Sequence, residues 1–130
     1  MFAVNVEIYN EMTHITGTVG QCIKDNQAVL VLEIGEGEWD WETYTEHNTR
    51  MQDEYKDFIS EFNNNRKATV GLNDISIIAL AKTLGLPLVH MESEVNNPDS
   101  IKRRIPDICK SEAVPPLPFS AFCRAEKLKF

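Results

Sequence analysis

The sequence predicts an α/β fold with a mainly parallel sheet, and three observations point to it. Residues 28–34, AVLVLEI, form a β-branched run that stops at Gly35, the composition of a buried strand. Residues 72–92, LNDISIIALAKTLGLPLVHME, read as an apolar helix ended by Gly85-Leu86-Pro87 and followed by a short apolar strand. The segments around them have helical spacing, and strands alternating with helices are how parallel sheets are written in sequence.

Taken in order, the opening VNVEIYNEM fits a helical face of Ile8, Met12 and Ile15 better than a strand, with Asn5 as its N-cap. The helix is expected to reach about Lys24 and to be weak or broken. Gly17 and Gly20 lie inside it, and each costs about 1 kcal/mol relative to alanine. Asp25-Asn26 signal a turn before the strand over 28–34, and GEGEWD is a loop. From 41 to 62 the chain places Tyr44, Met51, Tyr55, Phe58, Ile59 and Phe62 at helical spacing. That predicts one amphipathic helix of about 33 Å, ended by Asn63-Asn64-Asn65.

Asn73 or Asp74 is expected to cap a helix over 75–84, deeply buried through Ile77, Ile78, Leu80, Ala81 and Leu84. Residues 87–91 predict a short central strand. Residues 93–104 lack periodicity and contain Asn-Asn-Pro-Asp-Ser, a surface loop. Pro106 suits the first turn of a short helix. Residues 115–118 read as extended and 119–127 as a last helix.

The 130 residues suit a single domain, with 42% hydrophobic and 25% charged residues placing it among globular chains. No apolar run approaches the roughly 20 residues of a membrane helix, and the N-terminus lacks the basic and apolar regions of a secretory signal. Cys22, Cys109 and Cys123 are odd in number and scattered. They read as reduced thiols of a cytoplasmic protein, without zinc-ligand spacing. The net charge of −7 is uneven: residues 1–100 carry 17 acidic and 6 basic residues, residues 101–130 carry 3 and 7. An acidic body disfavours indiscriminate nucleic-acid binding, whereas the basic C-terminal part can supply phosphate contacts or meet an acidic surface.

By themselves the carboxylates have plain readings. Asp74 suits a helix N-terminus, accepting backbone N–H bonds, and Glu92 suits a solvated loop. Glu7 and Glu11 stand four apart on one helical face, mildly repulsive unless a cation lies between. Together they describe more, since Mg²⁺ takes carboxylate oxygens brought from separate elements to a strand edge.

The run Asn73-Asp74-Ile75-Ser76-Ile77-Ile78-Ala79-Leu80-Ala81-Lys82, then Leu84-Gly85 and Leu88-Val89-His90-Met91-Glu92, resembles the second half of PIN-like domains. Lys102-Arg103-Arg104-Ile105-Pro106-Asp107-Ile108-Cys109 is similar to the basic-x-IPDVC signature of the DUF4411 family of PIN-like bacterial proteins. The stretch from Phe119 to Phe130 resembles that family's final helix. The resemblance implies one PIN-like domain over residues 1–130, a three-layer α/β/α sandwich. It also implies a Mg²⁺- or Mn²⁺-dependent endoribonuclease, often the toxin of a toxin–antitoxin pair.

Carried over by residue, the metal and catalytic carboxylates are Glu11, Asp74 and Glu92, with Glu7 the weaker choice for the first. Lys102, Arg103 and Arg104 are the RNA-binding residues. The expected partners are single-stranded or structured RNA and an antitoxin protein. The family opens with a strand ending in a metal-binding aspartate, which has no counterpart here unless residues 2–6 are that strand with Asn5 in its place. The preferred reading is a chain that starts after that strand, with a homodimer covering the exposed sheet edge. The alternative function is a catalytically incomplete scaffold that binds RNA or a partner protein.

Overall fold

The computed structural model describes residues 3–25, 27, 31–65, 70–92, 95 and 103–125. Among them six helices and short parallel strands make a mixed α/β fold. The opening differs from expectation, because Val4–Asn5 is a strand (β1). It pairs in parallel with Val31–Leu32 (β2), Val4 opposite Val31 and Asn5 opposite Leu32. Asn5 is also the N-cap of α1, Val6–Met12, so one residue ends the strand and starts the helix. The strand wins because Val4 and Asn5 are both buried, while the buried residue of α1 is Tyr9 and Ile15 stays exposed.

The expected break in the first helix is present. After α1 the chain turns and restarts as α2, Gly17–Asp25. Gly17 takes φ +79° there. A Cβ on Gly20 would lie 1.8 Å from the Ile15 carbonyl oxygen, so only glycine lets the helix pass this close to the turn. The first residues of the strand expected over 28–34 lie outside the described residues.

Asp40 caps α3, Trp41–Glu54, accepting from the Thr43 N–H at 3.1 Å and the Thr43 hydroxyl at 2.7 Å. Its buried residues Tyr44 and Met51 share one face. The helix expected to reach Phe62 stops at Glu54 and continues as two single-turn 3₁₀ segments, Lys56–Phe58 and Ser60–Phe62. The interruption is Ile59, whose extended backbone forms a parallel bridge with Val70. The Ser60 N–H donates to the Val70 carbonyl at 2.8 Å, and the Val70 N–H to the Phe58 carbonyl at 3.1 Å. Ile59 and Val70 are both fully buried, which a continuous helix would not achieve. Asn64 and Asn65 then take left-handed conformations that asparagine tolerates.

The apolar helix α4, Leu72–Leu84, starts three residues earlier than the sequence suggested. It ends at Gly85 in a left-handed cap with φ +67°, the usual glycine terminus. Ile75, Ile78, Ala79 and Leu80 are sealed from solvent, while Ile77 and Leu84 are half-buried. Leu88–His90 (β3) pairs in parallel with Pro116–Pro118 (β4), and among the described residues that is its whole sheet. It is therefore not the expected central strand. Two prolines in β4 remove ladder donors, which restricts such a strand to a sheet edge.

Between these strands runs α5, Ile105–Ser111, with Pro106 in its first turn, and after them α6, Phe119–Ala125. The core joins Tyr44, Met51 and Tyr55 of the α3 region to Ile75, Ile78 and Leu80 of α4 and to Ile108, Cys109 and Val114. Cys109 is a core hydrophobe, its thiol pushed up to about 12 by burial.

Asn5 is a small buried hub. Its Oδ1 accepts from the Ile8 N–H at 2.9 Å, and its Nδ2 donates to the Ser76 hydroxyl at 2.8 Å. That hydroxyl donates in turn to the Asn73 carbonyl at 2.7 Å. Asn5→Ala removes the cap and leaves Ser76 without its donor, so it is expected to cost about 2–3 kcal/mol, read as a lowered urea midpoint with unchanged slope. A loss under about 0.5 kcal/mol would mean that water replaces the amide.

Candidate metal and nucleic-acid site

The N-terminus of α4 gathers carboxylates from several elements. Gly71 is its N-cap, in extended conformation. Asp74, in the first turn, accepts from the Gly71 N–H at 2.8 Å. Asp74 is thus inside the helix rather than its cap, although its bond is the kind that a carboxylate at a helix start makes. Glu61, from the second 3₁₀ segment, accepts from the Leu72 N–H at 3.0 Å and from the Ser60 hydroxyl at 2.7 Å. Both acids flank the same glycine: a Cβ on Gly71 would lie 3.5 Å from the Glu61 carboxylate and 3.6 Å from that of Asp74.

Glu11 reaches this helix start from α1, its Oε1 accepting from the Asn73 side-chain amide at 2.8 Å. Glu92 follows β3 and accepts from the Ile105 N–H at 3.0 Å, at the start of α5. Its own N–H donates to His90 Nδ1 at 3.2 Å. All these acids act on Asp74. Burial raises the Asp74 carboxyl above its ordinary range, the negative charges of Glu92, Glu11 and Glu61 raise it further, and only the Gly71 N–H opposes them. Burial also raises the Glu61 carboxyl, but its bonds to the Leu72 N–H and the Ser60 hydroxyl outweigh that and leave it lowered. Glu7 instead acts on Tyr44, so of the two early glutamates Glu11 is the one beside Asp74.

The structure therefore leaves Glu11, Glu61 and Glu92 near enough for their charges to act on Asp74, with Glu92 held at the start of α5 and not at that of α4. Sequence reasoning missed Glu61 because it placed it on the tail of a long helix. Its partner, the Leu72 N–H, becomes available only once that helix breaks at Ile59. Arg104 is the N-cap of α5, and Arg103 lies with its guanidinium 5.0 Å from the Phe58 ring centre. Both are half-buried and adjoin Ile105, the residue that holds Glu92. Lys102 lies outside the described residues.

The donor set consists of carboxylate oxygens, which suit a hard cation such as Mg²⁺ or Mn²⁺. The mutual repulsion at Asp74 is what such a charge would relieve. As the side chains stand, each carboxylate points at an N–H or hydroxyl donor, and among the described residues no three acidic, histidine or cysteine groups are clustered closely enough to hold an ion. Among the described residues no helix is long and apolar enough to cross a membrane. In comparisons with family models, curated proteins and solved structures, nothing matches this chain.

Proposed function

We propose that the chain is a PIN-like, Mg²⁺- or Mn²⁺-dependent endoribonuclease built as an α/β/α sandwich. The observation that carries this reading is Asp74 at the start of α4, raised by burial and by the charges of Glu92, Glu11 and Glu61, which come from separate elements. In this reading Asp74, Glu11 and Glu92 hold the cation, and Glu61 keeps the Gly71–Leu72 turn in place. A divalent cation bound there would supply a nucleophilic hydroxide and neutralise the scissile phosphate. Arg103 and Arg104, beside the Glu92 anchor, orient the RNA backbone by charge-assisted hydrogen bonds. By the same resemblance, an antitoxin protein is its regulatory partner.

The second reading is a non-cleaving scaffold that binds RNA or a protein. It is favoured by Asn5, since the opening strand ends in an amide that brings no negative charge to a cation. A mixed-sequence single-stranded RNA separates the two readings. The nuclease reading expects fragments with Mn²⁺ and none after chelation. Intact RNA under both conditions, with retention of the RNA in a gel-shift assay, would leave the scaffold.

A further inference from the structure

Away from the carboxylate site, the segment around β2 and the start of α3 lines an open cleft of about 1090 Å³. Half-buried Val31, Leu32, Trp39 and Leu84 make its apolar floor. Among the described residues its exposed rim carries Asp25, Glu33, Glu36, Glu38 and Asp40 against one cation, Lys24. We propose that this cleft docks a cationic peptide segment, with lysine or arginine side chains on the rim and apolar side chains on the floor.

The charge balance selects the occupant. Nucleic acid is repelled by such a rim, and a purely apolar ligand has no use for five carboxylates. Glu33 and Glu36 stand close enough that a hydrogen bond shared between their carboxyl groups and the Glu36 charge raise the Glu33 carboxyl above its ordinary range, a repulsion that a cation relieves. The rim is also held in shape. The Trp39 indole N–H donates to the carbonyls of Glu33 and Glu36, each at 3.1 Å, and its ring packs 5.5 Å from that of Tyr44. A partner therefore meets a preformed surface and loses less to ordering it. None of Glu11, Glu61, Asp74 and Glu92 lines the cleft, so the inference stands apart from the nuclease reading.

The test is a ¹⁵N NMR titration of the full chain with an amidated octapeptide of six lysines and two central leucines. A peptide of eight lysines serves as the comparison. The leucine-bearing peptide is expected to shift the Trp39 indole signal and the Val31, Leu32 and Leu84 amides, and to bind more tightly than the all-lysine peptide. Glu33→Gln with Glu36→Gln should weaken it about tenfold. Asp53→Asn with Asp57→Asn makes the same charge change on exposed positions at the far end of α3 and in the 3₁₀ segment after it, and should change binding less than about twofold. Equal weakening by both pairs, equal affinity for both peptides, or shifts confined to other surfaces would overturn the proposal.

Discussion

Glu112→Gln is expected to cost the fold about 2–4 kcal/mol, a fall of roughly 8–15 °C in the thermal midpoint. Glu112 lies just past α5, with its side chain only 4% exposed. It accepts two bonds from the Arg50 guanidinium, at 2.6 and 3.2 Å, and a third from the Tyr55 hydroxyl. Lys82 approaches the carboxylate at 3.3 Å and donates to the Glu112 backbone carbonyl at 2.9 Å. One carboxylate thereby ties α3, α4 and the end of α5 together. Glutamine keeps the shape but removes the charge that three donors converge on. The loss falls short of that for a fully buried pair because Arg50 is 41% exposed and can regain water.

The same group sets an acid limit. Burial pushes the Glu112 carboxyl up, but bonds from Arg50, Tyr55 and Lys82 outweigh it and bring it down to about 2 from an ordinary 4.5. A carboxyl depressed in the folded state stabilises fully above its unfolded value, and that contribution is lost as pH falls through the folded one. The difference corresponds to about 3 kcal/mol. Wild-type and Glu112→Gln stabilities should therefore differ most above about pH 5 and converge towards pH 2. A difference that stays constant across that range would mean the loss comes from packing, not from the charge.

If the chain is the proposed nuclease, Asp74→Asn is expected to lower metal-dependent cleavage at least about 100-fold without harming the fold. The amide oxygen still accepts from the Gly71 N–H, the 2.8 Å bond that starts α4. It no longer repels Glu92, Glu11 and Glu61, the charges that raise the wild-type carboxyl. Its metal-free stability should therefore match or exceed wild type by up to about 1 kcal/mol. Mn²⁺ should raise the wild-type midpoint, by about 1.4 kcal/mol at ten times its dissociation constant, and leave the variant unmoved. If the variant unfolds, the role of Asp74 is structural, holding the first turn of α4. If it is stable and cleaves at the wild-type rate, the carboxylate site is not catalytic.

Local chemistry made much of the architecture legible. Eight of the thirteen residues over 72–84 are apolar, five of them consecutive from Ile77 to Ala81, which favours a buried helix, and the left-handed turn at Gly85 ends it. Gly17 and Gly20 predicted the break after α1 and Pro106 the start of α5, because each is a backbone preference needing no distant partner; the Asn63–Asn65 run, expected to end one long helix, instead follows two 3₁₀ segments. Asp74 and Glu92 were readable for the same reason, since a carboxylate at a helix start or strand end is visible from its neighbours.

Tertiary contact decided the rest. Residues 55–62 have helical spacing, yet the chance to bury Ile59 against Val70 overrode it. That break moved Glu61 onto the Leu72 N–H beside Asp74. Val4–Asn5 became a strand only because Val31–Leu32 offered it a parallel partner and Ser76 took the Asn5 amide. The Arg50–Tyr55–Lys82–Glu112 network likewise joins residues up to 62 positions apart. The sequence by itself determined the helices, turns and two acids that local preference specifies. Strand pairing, the fourth acid and the buried ion network depended on which distant surfaces met, because a pairing or burial term has no value until its partner is in place.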